Sequence, residues 1–186
     1  MNKSKLVKKL TMILFTLVAV FAVGLTNVNA KTITVENEEE LINASKGFDS
    51  EINEIKLAKD ITLTNHLSFY VINDITLDLN GRSLDTGTYN LEFEYGMSDY
   101  DESINDYHYG FNSKLTIKDS SSSKTGKILT KQSILFATHD TNHDKEIKKY
   151  GLTIDGGYYE IISSTNTFIS LFTNDYYTNG RNITVD

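Results

Sequence analysis

An apolar-threonine-apolar triplet returns along the whole chain: Ile33-Thr34-Val35, Ile61-Thr62-Leu63, Ile75-Thr76-Leu77, Leu115-Thr116-Ile117, Leu152-Thr153-Ile154 and Ile183-Thr184-Val185, with Ile55-Lys56-Leu57 as a variant. Successive residues of a strand face opposite sides, so each triplet sends two aliphatic side chains one way and one polar side chain the other. No helical period runs through these segments. Near-copies of one short strand, divided by Asn, Gly, Asp and Ser, predict a solenoid rather than a sandwich of unrelated strands.

The segments between triplets align as three strands per coil. One coil runs Ile55 to Leu57, Ile61 to Leu63 and Leu67 to Val71; the next takes Ile75 to Leu79, Ser83 to Asp85 and Tyr89 to Phe93. A third takes Leu115 to Ile117, Lys127 to Thr130 and Ser133 to Ala137, and a fourth Leu152 to Ile154, Tyr158 to Ile162 and Thr167 to Phe172. Gly81, Gly126 and Gly156-Gly157 all fall between first and second strands, where the chain must turn sharply and glycine accepts a positive φ. The predicted fold is all-β: a right-handed parallel β-helix of four to five coils. Stacked coils pair backbones at about 4.8 Å and bury aliphatic columns, each side chain contributing roughly 1.5–3 kcal/mol.

Three segments follow. Residues 1–30 have the layout of a secretory leader: Lys3, Lys5, Lys8 and Lys9, an apolar run from Met12 to Leu25, and the small-residue site Val28-Asn29-Ala30. The apolar run is shorter than the roughly 18–20 residues that span a bilayer, so it reads as a cleaved signal and leaves no membrane contact afterwards. Residues 31–50 hold a strand and then Glu36 to Gly47, with acids at the start and Lys46-Gly47 at the end, the charge order of a helix and its C-cap. This helix is expected to cover the edge of the first coil. Residues 51–186 are the coils, and Asn182 to Asp186 read as the start of another, so the expectation is an N-terminal piece of a longer surface protein whose open edge invites edge-to-edge self-association.

Charge and composition narrow the partners. The chain has 18 Lys+Arg and 25 Asp+Glu; loss of the four leader lysines leaves about −11, which repels nucleic acid. With no cysteine there is neither a disulfide nor a thiolate metal site, and the core alone must hold the domain.

Leu77-Asp78-Leu79-Asn80-Gly81-Arg82-Ser83-Leu84, Leu115-Thr116-Ile117-Lys118-Asp119-Ser120-Ser121 and Gly151-Leu152-Thr153-Ile154-Asp155-Gly156-Gly157 resemble coils of the pectate-lyase-like right-handed parallel β-helix superfamily, most of all the N-terminal coils of Gram-positive bacterial surface proteins. The resemblance implies architecture first, because these motifs are turn and core chemistry. It also implies polysaccharide lyases and hydrolases as relatives. Lyases of that kind use acid-bound calcium with an Arg or Lys base, yet the only arginines here, Arg82 and Arg181, sit next to Gly in turns away from any acidic cluster. Asp78 and Asp155 occupy like positions on first strands, with Lys118 in the similar position between them, which is unlike the adjacent carboxylates of a hydrolase. No catalytic residue is assigned.

The candidate binding residues lie in insertions after third strands, from Glu94 to Ser113, Thr138 to Tyr150 and Asn174 to Arg181, which coil geometry stacks on one flank. Tyr95, Tyr100, Tyr107, His108, Tyr109, Tyr150, Tyr176 and Tyr177 are the ligand-binding set. Aromatic faces beside hydrogen-bonding groups suit sugar rings. The same tyrosines also suit packing of the insertions onto the coil. Asp140, Asn142 and Asp144 are spaced as calcium ligands, although Lys145 stands where an EF-hand needs Gly and Gly151 where it needs Glu, so calcium is the one cofactor considered. Asp99, Asp101 and Glu102 read as a charged loop tip. The resulting expectation is a secreted or surface-displayed module for adhesion, its partner an extracellular glycan or host or cell-surface polymer; the alternatives are a polysaccharide lyase or glycoside hydrolase fragment and a non-binding stalk.

Overall fold

The computed structural model describes residues 31–110, 112–139, 149–161, 169–174 and 182–185. Among them the chain is mostly strand, with one helix. In chain order the elements are β1 (Lys31–Val35), α1 (Glu38–Ser45), β2 (Ile52–Leu57), β3 (Ile61–Thr62), β4 (Leu67–Val71), β5 (Ile75–Asp78), β6 (Ser83–Gly87), β7 (Leu91–Asp101), β8 (Asp106–Gly110), β9 (Lys114–Lys118), β10 (Lys127–Thr130), β11 (Ile134–His139), β12 (Lys149–Asp155), β13 (Tyr158–Ile161), β14 (Ile169–Asn174) and β15 (Asn182–Val185).

They form three parallel sheets. The first is ordered β1-β2-β5-β9-β12-β15, the second β3-β6-β10-β13 and the third β4-β7-β11-β14, with β8 antiparallel to the far part of β7. From β2 onward the chain visits first, second and third sheet in fixed rotation, β8 being the single interposed strand.

Six of the seven triplets lie in the first sheet, Ile61-Thr62-Leu63 starting with the second-sheet strand β3, and the six are not all in one register. Ile75, Thr76 and Leu77 align with Leu115, Thr116 and Ile117, and these with Leu152, Thr153 and Ile154. Ile33-Thr34-Val35 aligns with Ile55-Lys56-Leu57, and Ile55 aligns with Leu77, so these two triplets stand two residues out of step with the next three. Thr184 likewise faces Gly151 instead of Thr153. An even offset leaves side-chain parity intact, so the same set of aliphatics still points inward where an odd slip would expose them. Ile55, Leu57, Leu77, Leu115, Ile117 and Leu152 are all fully buried or within a percent of it.

The third sheet supplies the aromatic stack of the core. Phe69, Phe93 and Phe136 share one register position, and their rings lie 5.3 and 5.1 Å apart along the stack. That spacing follows from the distance between parallel strands, which places identical rings within offset-stacking range.

Helix α1 stands where second- and third-sheet strands would precede β3 and β4. Asn37 caps it by accepting the Glu40 N–H at 2.9 Å, and the Glu40 carboxylate returns to the Glu36 N–H at 2.8 Å. Glu38, Glu39 and Glu40 in the first turn oppose the positive end of the helix dipole. Leu41 is fully buried in the core, and Ser45 Oγ donates to the Ser68 carbonyl of β4 at 3.1 Å. The Glu38 carboxylate accepts the N–H and hydroxyl of Thr64, both at 2.7 Å, and so fastens the helix to the corner between β3 and β4. Gly47, at φ 72°, ends this segment with its α-carbon pressed toward Tyr70 and Ser98.

Candidate functional site

Strand β7 alternates Leu91, Phe93 and Tyr95 inward while it lies in the third sheet. At Gly96 the φ of 103° bends the chain away, and a bulge between Met97 and Tyr100 adds twist before β8 returns alongside. The insertion from Glu94 to Ser113, expected to be a loop, is therefore a β-hairpin over most of its length. Its turn is set by Asp101, whose carboxylate accepts the Ser103 N–H at 2.9 Å and hydroxyl at 2.6 Å, and by Asn105 at φ 54°.

The hairpin is seated on the body at its root. Asp99 N–H donates to the Lys46 carbonyl at 3.0 Å, and within the hairpin Ser98 Oγ accepts the His108 N–H at 2.9 Å and ties its two arms together. A Cβ on Gly110 would stand 1.6 Å from the Ile72 carbonyl oxygen, so only glycine permits this approach of β8 to the end of β4.

Cross-strand pairing sorts the side chains onto two faces. Tyr100 lies opposite Tyr107, their rings 5.3 Å apart at 70°, and Tyr107 and Tyr109 are 6.5 Å apart. Tyr100 Oη donates to Asn105 Oδ1 at 2.7 Å. On the other face His108 Nε2 meets Asp101 Oδ2 at 2.9 Å, and its ring lies 6.0 Å from Phe48. Tyr100, Tyr109 and Ile104 keep 41, 48 and 52 % of their surface exposed, so this aromatic face is open to a ligand. Hydrogen bonds from Ser103 and His108 hold the Asp101 carboxyl down at about 2, so it is anionic at neutral pH. At the hairpin root, burial foremost and then the charges of Glu94, Asp99 and Glu92 push the Tyr70 phenol up to about 12.

Tyr95 and Tyr150 require correction. Both are buried, at 0 and 1 % exposure, with rings 5.2 Å apart, and Tyr95 Oη donates to the Gly151 carbonyl at 3.1 Å. Burial pushes the Tyr95 phenol above its ordinary range. Tyr95 belongs to the core because the inward alternation of β7 runs on through residue 95, and Tyr150 because it shares the inward side of β12 with Leu152, so both are removed from the ligand-facing set. Tyr100, Tyr107, His108 and Tyr109 are brought together by the hairpin. Tyr176 and Tyr177, like the calcium candidates Asp140, Asn142 and Asp144, lie outside the described residues. Among the described residues no three His, Asp or Glu side chains converge as a metal cage would require.

The polar face of the first sheet carries a second cluster. Asp78, Lys118 and Asp155 occupy one row, as the spacing implied. Asp78 does not protrude, however: it is fully buried, and its Oδ1 accepts the N–H groups of Asn80 and Ser120, each at 2.9 Å. Burial opposes its charge, but those hydrogen bonds and Lys56 at 3.4 Å outweigh it and lower the pKa. Lys118 is bound to Glu54 at 2.7 Å. The row alternates in charge, with Asp78 paired to Lys56 and Lys118 to Glu54, and is not a facing pair of carboxylates.

Sequence reasoning passed over Ser103, Ile104 and Asn105. A signal for them was present: Tyr100 on one side of an Asn-containing turn and Tyr107 and Tyr109 at alternate positions on the other suit the two arms of a hairpin.

Comparison with protein-family models finds no match to this chain, and neither curated proteins nor solved structures give one.

Proposed function

We propose that the chain is an exported, surface-displayed module with pectate-lyase-like architecture, a right-handed parallel β-helix, that binds carbohydrate through the aromatic face of the β7–β8 hairpin and serves adhesion without catalysis. The fixed rotation of the chain through three parallel sheets supports the helix, and the strong preference of parallel crossovers for the right hand supports its sense. The leader-like first thirty residues support export.

The observation that carries the binding reading is the Tyr100-Tyr107-Tyr109 cluster, with Tyr100 and Tyr109 exposed and Tyr107 partly buried, on a hairpin that is hydrogen-bonded to the body at its root. Sugar rings stack their C–H faces on aromatic rings, while their hydroxyls need polar partners of the kind that Asn105, bonded to Tyr100, offers beside them. A hairpin with a fixed root also loses less conformational entropy on binding than a free loop.

The test is an immobilised-glycan panel probed with the parent protein and a Tyr100→Ala/Tyr107→Ala/Tyr109→Ala variant. The variant should bind at least about tenfold more weakly, about 1.4 kcal/mol, with unchanged circular dichroism and melting temperature. Undiminished binding by a folded variant removes the hairpin from the site. Release of reducing sugar or unsaturated ends from any polysaccharide reverses the non-catalytic part of the reading.

A further inference from the structure

From Gly96 to Gly110 the hairpin carries Asp99, Asp101, Glu102 and Asp106 and neither Lys nor Arg. Lys46, whose carbonyl meets the hairpin at Asp99, has its ammonium directed over the Phe48 ring at 5.7 Å. The exposed tyrosines thus stand on a strongly anionic protrusion. We infer that the ligand of the hairpin is a glycan bearing protonated amines, a de-N-acetylated hexosamine polymer, rather than a neutral, uronate, sulfated or phosphorylated one.

The inference rests on the carbohydrate-binding reading and adds the charge of the ligand. Tyrosine faces attract a cation held within about 6 Å of the ring, so an amino sugar stacked on Tyr109 or Tyr100 gains from its ammonium as well as from its C–H face. The acids lie partly on the opposite side, since Asp101 pairs with His108 behind the tyrosine face. Strands are only about 4.8 Å apart, however, and charges are felt over a Debye length of about 10 Å at 0.1 M salt. Asp101 is held ionised by its hydrogen bonds. Glu102 and Asp106 are exposed at the tip, where a polymer passing over the hairpin meets them first. A carboxylated or sulfated chain meets the same field as repulsion.

Three oligosaccharides of equal length, of glucosamine, N-acetylglucosamine and galacturonate, distinguish the possibilities when titrated calorimetrically at about pH 6, where side-chain carboxylates are ionised. The glucosamine oligomer should bind at least about tenfold more tightly than the acetylated one at low salt, and raising salt should erase most of that difference. A Glu102→Gln/Asp106→Asn variant, which leaves the tyrosines and the Asp101–His108 pair in place, should weaken glucosamine binding severalfold and leave acetylated binding unchanged. Equal binding of both oligomers, or preference for galacturonate, overturns the inference while the carbohydrate reading stands. Equal or tighter binding of a lysine oligopeptide overturns it in favour of a basic protein segment. If a natively folded protein binds none of the three and no member of a broad glycan panel, the carbohydrate reading itself falls.

Discussion

The carboxylate of Asp119 accepts the backbone N–H of Gly81 at 2.8 Å, joining two corners that are 38 residues apart in sequence. The same side chain accepts the N–H groups of Ser121 at 3.0 Å and of Gly126, itself buried, at 2.7 Å. One acid therefore fixes the corner between β5 and β6, the corner after β9, and the entry to β10. Replacement by Asn puts an amide NH₂ against one of these donors, and the expected loss is about 2 kcal/mol, read as a lowered urea midpoint at unchanged slope.

Asp119 also sets an acid limit on stability. Burial opposes its charge, but the hydrogen bonds from Ser121, Gly126 and Gly81 prevail and hold the carboxyl at about 2. A group whose folded pKa lies below its unfolded value stabilises the fold at pH above the unfolded value, about 3.9, and that contribution is lost as pH falls toward the folded one. Stability of the parent protein should fall more steeply between about pH 4 and 2 than that of Asp119→Asn. Parallel slopes for the two proteins would contradict this assignment.

Gly110→Ala should dislodge the hairpin without unfolding the sheets. The added methyl has no room against the Ile72 carbonyl, and neither backbone can retreat while the root bonds hold. The expected outcome is a loss of several kcal/mol in local stability, seen as faster amide exchange in β8 than in β9, together with loss of glycan binding.

Phe93→Ala removes the middle ring of the Phe69-Phe93-Phe136 stack, which has neighbours on both sides. Thermal unfolding should register about 3–5 kcal/mol of destabilisation, more than for loss of the same ring at the end of the stack.

Tyr109→Ala and Tyr95→Ala should separate binding from stability. Tyr109 is nearly half exposed, so its truncation should change the melting temperature little and weaken binding. Tyr95 is enclosed against Tyr150, so its truncation should cost about 3–5 kcal/mol. Tyr95→Phe isolates the hydroxyl bond to Gly151, worth about 1 kcal/mol.

The strands were legible because inward and outward positions alternate within each triplet, and the glycines at corners marked their ends. The pairing register was not legible, since a two-residue offset such as that of Ile33-Thr34-Val35 leaves the pattern of inward residues unchanged. For the candidate site, composition singled out the segment that forms the hairpin and, within it, Tyr100, Tyr107, His108 and Tyr109. It misplaced Tyr95, because a tyrosine in an acidic stretch looks solvent-facing until the alternation Leu91, Phe93, Tyr95 is followed to its end. Asp119 looked like an ordinary turn residue, because the bond to Ser121 is local and the one to Gly81 comes from a segment that only folding brings near.

The two-residue steps between neighbouring strands of the first sheet bear on how a chain of this type can change length. Any gain or loss at a corner that displaces the following strand by a pair of residues keeps every aliphatic group under cover, whereas displacement by one turns a whole row outward. Neighbouring turns of the chain can thus differ in length by odd or even numbers, as the 40 residues from Leu77 to Ile117 and the 37 from Ile117 to Ile154 do, and still share one aliphatic interior, because the corner absorbs the difference and only the strand's own offset must stay even.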